Sequence, residues 1–358
     1  MEIKKTIILC ALALAASLGV QAQQRLDAAQ QRERTIPQHY ENTVCPNEVA
    51  KKAAGGIIVV GGGDTVRAMS PFSSSAQARE AYAQIANKYY NTFGGRVNVY
   101  CMPIPIASAF YTPDAASSWT RDQRAALIDI FSYLEPGVKA VDAYTTLGAH
   151  AAEDIYLRTD HHWSPKGAYY VARHFTQVAG VPFRNLSFYE ECIVKDFVGT
   201  MYKYSKDAAV KNAPEDFVYY IPTAVRYSAT RITYTLGKGN HVAKTSEPAE
   251  CDFFREFKDG SGGAYSTFMN GDTNTTHVHT ATRNGRRLLI LKDSFGNAIP
   301  GYLFYSFEDI HVVDCRYFTF NIVDYVNKNE ITDILFCNNI SHACSDATVR
   351  AYERYLTQ

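Results

Sequence analysis

An α/β fold with a mostly parallel sheet is what the sequence predicts, and two observations carry it. Short apolar strand-like runs alternate with segments of helical periodicity at both ends of the chain. Polar, chemistry-bearing residues also follow directly on several of those runs, as happens where parallel strands bring their carboxyl ends to one edge.

The elements follow in order. Lys4 and Lys5 precede an apolar run over 6–20, and Val20-Gln21-Ala22 is a small-residue cleavage site, so residues 1–22 read as a secretory leader. The run is short for a membrane span. Leu9 before Cys10 is not the small residue that precedes a lipidated Cys. Residues 23–50 are a polar, Gln- and Arg-rich lead-in, and a single domain is expected over 51–358. Ile57 to Val60 is a strand that runs into Gly61-Gly62-Gly63-Asp64. A phosphate-binding loop there would need a Lys and a glycine spacing that are missing, so a tight turn is expected.

Helical periodicity covers 75–93, through Ala78, Tyr82, Ile85 and Tyr89, and 120–134, through Leu127, Ile130 and Phe131. Strands are expected at 96–106 and 138–144, and a helical stretch at 147–155. Residues 200–285 alternate β-branched and aromatic runs with Gly and Asn turns, which reads as a β-rich insertion. The α/β order then returns: strand 287–292, a turn at Ser294, helix to about 306, strand 310–313, helix 320–329 and strand 331–337.

Composition bounds the partners. Of 358 residues, 46% are hydrophobic, enough for a sizeable core. The formal charge is zero and no basic patch stands out, so nucleic acid is not an expected partner. The 25 Tyr suit either a sugar-facing surface or the amphipathic edge of a core. Loss of Cys10 with the leader leaves an odd number of Cys, hence at least one free thiol. Cys101, Cys315 and Cys337 lie in apolar runs as small hydrophobes, whereas Cys45, Cys192, Cys251 and Cys344 are open to pairing. No CxxC pair suggests a zinc ribbon, and no cofactor is expected.

The chemistry concentrates in two places. Asp160-His161-His162-Trp163 stands just ahead of a helix start, with Ser164 as N-cap and Pro165 in the first position. A turn anchored by a helix suits a His that must accept a proton and an Asp that must orient it. Far downstream, Lys292-Asp293-Ser294-Phe295-Gly296-Asn297 places a Ser on a turn after an apolar strand, where its hydroxyl is exposed and its backbone N–H can serve an oxyanion.

These two segments, together with Val313-Asp314-Cys315-Arg316-Tyr317, resemble the bacterial DHHW protein family, named for the tetrad at 160–163. More widely the chain is similar to SGNH-hydrolase-like proteins, among them the periplasmic alginate O-acetyltransferases. The resemblance spans roughly 55–345. It implies a three-layer SGNH-like fold in which the Asp/His block precedes the Ser block. It also implies a Ser294 nucleophile, a His162 base and an orienting Asp160. Asn338 or Asn339 takes the place of the oxyanion Asn. Two positions depart from the pattern. Lys292 stands where a Gly is usual, and no Gly occurs in Asp314-Cys315-Arg316-Tyr317, so Arg316 replaces that donor as an electrophile or the oxyanion hole is incomplete.

The function expected on these grounds is exported, serine-dependent acyl-ester chemistry on an envelope or extracellular glycan, by transfer or hydrolysis. A carbohydrate or acylated glycan is the expected partner, with an acyl-donor membrane protein as a second. Two alternatives stand beside it. One is a non-catalytic glycan-binding or scaffold protein. The other is a metal-dependent phosphoesterase built on Asp160, His161 and His162, for which the required early Asp-x-Asp is missing. His161 is expected to pack or cap the turn, or to serve as the base itself. Trp163 is expected to be a plug or a substrate platform, and Arg316 an ion-pair partner or a substrate contact.

Overall fold

The structure is a computed structural model and describes residues 36–358. The leader and the first part of the lead-in therefore lie outside the described residues. Strands β1 (Ala50–Lys52), β2 (Ile58–Val60) and β3 (Arg67–Met69) form a small antiparallel sheet. The strand expected at 57–60 is thus present, but outside the main sheet.

The main sheet has nine strands. Its parallel part contains β4 (Asn98–Cys101), β5 (Val138–Ala140), β12 (Arg287–Lys292), β13 (Asp309–Asp314) and β14 (Asp333–Cys337), in the spatial order β13-β12-β14-β4-β5. A separate hairpin pairs β6 (Tyr189–Phe197) with β7 (Glu215–Pro222). After this hairpin, β8 (Tyr227–Leu236), β9 (Val242–Thr245), β10 (Ala249–Glu250) and β11 (Asn274–Thr280) add antiparallel strands to the main sheet. Strand β11 pairs with β13 and β8 with β11. Most of the β-rich stretch therefore extends the main sheet, and β7 alone pairs apart from it, with β6. Side-chain alternation alone cannot report such pairing, because it fixes a strand's faces and not its neighbour.

Strand β12 lies between β13 and β14, with parallel partners on both sides. Its side chains alternate between two cores, as the period of two requires. Leu289 and Leu291 pack with Tyr82, Ile85 and Tyr89 of helix Ala76–Thr92 and with Tyr352 and Tyr355 of helix Asp346–Tyr355. Leu288 and Ile290 pack on the other face with Val171 and Phe175 of helix Pro165–Ala179. Each is fully buried, a contribution of roughly 1.5–3 kcal/mol per side chain. A central strand gripped from both faces is a rigid platform for whatever leaves its end.

Several boundaries differ from expectation. Of the stretch at 147–155 only the first two residues are helical, as the end of a helix over Ala143–Gly148. The α-helix expected after Ser294 is two 3-10 turns, Ser294–Ala298 and Pro300–Leu303. Pro300 supplies no N–H, so it breaks an i→i−4 ladder in the middle of that stretch. All seven described cysteines are free. Cys101, Cys315 and Cys337 are buried, and the four open to pairing make no disulfide here. Among the described residues, no helix is long and apolar enough to cross a membrane.

Candidate functional site

The tetrad occupies a short loop closed at its base. Leu157 N–H donates to the His162 carbonyl and Ser164 N–H to that of Ile155. The Ser164 hydroxyl accepts from Gly167 N–H, and Pro165 opens the 15-residue helix that ends at left-handed Gly180. Glu215 of β7 fixes the loop from outside. Its carboxylate accepts from Arg158 N–H (2.9 Å), Thr159 N–H (2.7 Å) and the Thr159 hydroxyl (2.6 Å).

Asp160 is buried at 3% exposure and both its oxygens are occupied. Oδ1 accepts from the His162 backbone N–H (3.1 Å) and lies 2.5 Å from His162 Nδ1. Oδ2 accepts from Thr200 N–H (2.8 Å) and the Thr200 hydroxyl (2.9 Å). The imidazole of His162 and these donors hold its carboxyl far below the usual carboxylate range, although burial opposes them. An ionised carboxylate only accepts, so His162 Nδ1 carries the proton and Nε2 is left as the acceptor. Nε2 lies 2.8 Å from Ser294 Oγ. Ser294 is partly exposed, whereas Asp160 and His162 are buried beneath it. Asp160, His162 and Ser294 thus form one continuous hydrogen-bonded chain that ends at a hydroxyl open to solvent.

Gly199 makes the Thr200 contact feasible. A Cβ there would sit 2.3 Å from the Asp160 Cβ and 2.4 Å from Oδ2. Gly296 has the same role on the Ser294 turn, where a Cβ would fall 2.4 Å from the Lys292 Cβ. Asp293 ties that turn to the next strand. Its Oδ1 accepts from Phe295 N–H (2.9 Å), and its Oδ2 accepts from the backbone and side-chain amides of Asn339 (2.8 and 2.9 Å).

The two rings beside the tetrad bind the halves of the site together. Trp163 is fully buried, so it is a plug and not a platform. Its Nε1–H donates to the carbonyl of Phe295 (2.9 Å), the residue after Ser294. Tyr265 stacks flat on the His162 imidazole, with ring centroids 3.8 Å apart and planes 6° apart, and its hydroxyl also donates to the Phe295 carbonyl (3.2 Å). Tyr265, Thr200 and Glu215 all come from the β-rich stretch and carry no local sequence signal. Only the Gly199-Thr200 turn after β6 hints at a close approach.

His161 does not reach Ser294 in this arrangement. The Thr200 hydroxyl gives its proton to Asp160, so it accepts from His161 Nδ1, 2.6 Å away. Burial and the neighbouring His162 push His161 down to about 4 from an ordinary 6.5, and it is neutral at pH 7. Between pH 6.5 and 4 the unfolded chain binds a proton at this residue that the folded chain refuses. Stability therefore falls as pH drops through that window, by on the order of 2 kcal/mol for this side chain. His161→Gln keeps a donor for Thr200 and removes the titration. Its urea midpoint is expected to fall less between pH 7 and pH 4.5 than that of the wild type, and equal falls in the two proteins would assign the acid sensitivity elsewhere.

The two asparagines have other partners. Asn338 is fully buried on the far core, its Oδ1 accepting from the hydroxyls of Tyr82 and Tyr352 (both 2.9 Å). The Asn339 amide donates to Asp293, and its Oδ1 caps Ser341 and His342 N–H. The Asn338 NH2 lies 4.0 Å from Cys315 Sγ and the Asn339 NH2 gives one of its two protons to Asp293, so no hydrogen bond directs either expected donor toward Ser294. The departures at 292 and 316 explain each other. Buried Lys292 lies 2.8 Å from Asp314 Oδ2 and 3.4 Å from Asp272 Oδ1. Arg316 grips Asp314 with Nε and Nη2 (both 2.7 Å) and reaches Asp272 at 3.0 Å. Asp272 also accepts from the Asn297 amide (2.7 Å). Two cations and two carboxylates thus replace glycine backbone next to the Ser294 turn.

For a metal ion, Asp160, His161 and His162 present ligand atoms within 4.8 Å of one another. Asp160 and both Nδ1 atoms are already committed to hydrogen bonds among themselves and Thr200, and His162 Nε2 faces Ser294. His277 and His279, alternating on β11, both lie 2.8 Å from Asp309 Oδ1, away from this site.

The profile of the family described as DHHW protein matches residues 34–313. A DHHW family protein from Eubacterium siraeum, solved by crystallography, is 35% identical with a TM-score of 0.76, over 87% of this chain and 98% of that one. Bacillus cereus PatB1, solved with a sulfonyl adduct, is 17% identical with a TM-score of 0.60, over 84% of this chain and 99% of that one. The O-acetyltransferase domain of Pseudomonas putida AlgJ is 11% identical with a TM-score of 0.43, over 80% of this chain and 93% of that one. The curated proteins contain no match.

Proposed function

The chain belongs to the DHHW protein family, and on that premise we propose that it is an exported serine acyl-ester enzyme acting on an envelope or extracellular glycan. One observation carries the chemistry: the hydrogen-bonded chain from buried Asp160 through His162 to the partly exposed Ser294 hydroxyl. His162 Nε2 takes the Ser294 proton as Oγ attacks the carbonyl carbon of an acyl ester. Asp160 holds the tautomer and stabilises the imidazolium. The Ser294 N–H, at the start of its 3-10 turn, is placed to receive the developing oxyanion. The tetrahedral intermediate collapses as His162 returns its proton to the leaving alcohol, leaving an acyl-Ser294. A sugar hydroxyl or water, deprotonated by His162, then takes the acyl group.

The leader and the resemblance to periplasmic alginate O-acetyltransferases support export and a carbohydrate acceptor. The SGNH-like layering with the Asp/His block first belongs to the same reading. The test is labelling of the purified protein with a fluorophosphonate probe, with and without chelator. Wild type is expected to label and Ser294→Ala to lose both the label and acetyl-ester hydrolysis, by at least about three orders of magnitude. Absence of labelling in a folded wild type would favour the scaffold reading, and chelator-sensitive turnover would favour metal.

A further inference from the structure

A cleft with a volume of about 340 Å³ lies between the end of β13 and the helix Asp346–Tyr355. Its basic side chains are Arg316, His342 and Arg354, and its hydroxyls are those of Ser345 and Thr348. Among the described residues, no acidic one lines it. The carboxylates nearby stand behind the cations: Asp314 and Asp272 at Arg316, and Asp293 at His342, 3.1 Å from its Nδ1. Asp346, in the first turn of the helix, is largely exposed and lies 3.8 Å from Arg350. Arg354 has no carboxylate within ion-pair distance among the described residues, lying instead over the ring of Tyr355.

We propose that this cleft is an anion-binding subsite that holds a carboxylate or phosphate carried by the acceptor glycan. The proposal rests on the acyl-ester reading above for its place in the reaction, though not for its binding chemistry. Three features converge. First, Arg316 is clamped by Asp314 and Asp272 through Nε and Nη2, which fixes its planar head without using Nη1. A preorganised guanidinium loses little freedom on meeting an oxyanion. Second, His342 is tied to Asp293, and that carboxylate raises its affinity for a proton. Third, the N-terminal turn of a 10-residue helix, capped by Ser345, opens on the same cleft and adds its dipole to the side-chain charge. The wall of the cleft is tied through His342 to Asp293, the residue before Ser294. A neutral sugar can meet the hydroxyls but brings no charge to the basic side chains. An acidic one gains charge-assisted hydrogen bonds.

The test is a calorimetric titration of the Ser294→Ala protein with three probes: trigalacturonic acid, its methyl ester, and glucose 1-phosphate. Using the serine variant separates binding from turnover, so a failure of the acyl-ester reading does not mask the result. At least one anionic probe is expected to bind, at least about tenfold more tightly than the neutral ester, and to weaken steeply with salt. Adding Arg354→Ala is expected to cost that probe about tenfold, because Arg354 has no structural carboxylate to release. Preference for the trisaccharide would assign a carboxylate acceptor and preference for the sugar phosphate a phosphorylated one. Equal binding of acid and methyl ester with no binding of the phosphate, or anion binding indifferent to Arg354→Ala, would overturn the subsite. An Arg354→Lys variant, which keeps the charge at this exposed position, is expected to restore most of the affinity, and a thermal midpoint of Arg354→Ala equal to the parent's guards against a folding artefact.

Discussion

Asp160→Asn is expected to lower turnover of an acyl ester by about four orders of magnitude while the chain still folds. The argument is one of donors and acceptors. Both oxygens of Asp160 face obligate donors: the His162 and Thr200 backbone N–H groups. An Asn has one oxygen to offer. If it keeps Thr200, its NH2 faces His162, and the imidazole must turn its lone pair to Nδ1 and its proton to Nε2. The proton then points at Ser294 Oγ, 2.8 Å away, and the base is lost. If the oxygen keeps His162, the NH2 collides with the Thr200 donors, at a cost of about 1–3 kcal/mol for an unsatisfied buried group. Turnover of p-nitrophenyl acetate and the thermal midpoint, measured on the same preparation, separate the two outcomes. A variant within tenfold of wild type would remove Asp160 from the mechanism.

Much of this geometry was legible in the sequence because it is local. The helix after the tetrad is announced by Ser164, Pro165 and an apolar face, and it forms over Pro165–Ala179 as those signals require. The strand before Ser294 is an uninterrupted apolar run, and it is buried on both faces. What was not legible is everything decided by distant packing. Tyr265 is one of 25 tyrosines, and nothing in its neighbourhood marks it as the ring that stacks on His162. Thr200 and Glu215 serve the tetrad only because β6 and β7 bring them there. The asparagines after β14 illustrate the opposite failure. Their position on the chain fits an oxyanion donor, but Tyr82 and Tyr352 hold Asn338 by its oxygen and Asp293 holds Asn339 by one amide proton, ties that only the fold reveals. Lys292 and Arg316 were visible as departures, and their reason, a shared pairing with Asp272 and Asp314, needed the fold.

Trp163 carries the second large effect, on stability. Its ring is fully buried between the tetrad loop and Phe295, 5.9 Å away by ring centroid. Trp163→Ala removes that area and leaves a cavity where neither the helix behind it nor the central strand can collapse, so a loss of about 3–5 kcal/mol is expected. Because native domains are stable by only about 5–15 kcal/mol, the variant should fold marginally or not at all at 37 °C. Trp163→Phe separates packing from hydrogen bonding. Phe keeps most of the apolar contact but drops the N–H, so the Phe295 carbonyl keeps only the Tyr265 hydroxyl at 3.2 Å. That change should cost about 1–2 kcal/mol in urea unfolding. It should also slow fluorophosphonate labelling, because the bond it removes links the His162 loop to the Ser294 turn across 132 positions of sequence. Slower labelling with an unchanged probe affinity would mark Trp163 as a positioning residue. If Trp163→Phe unfolds at the wild-type midpoint and labels at the wild-type rate, the bond to Phe295 neither stabilises the fold nor aligns the serine, and Trp163 acts through its bulk alone.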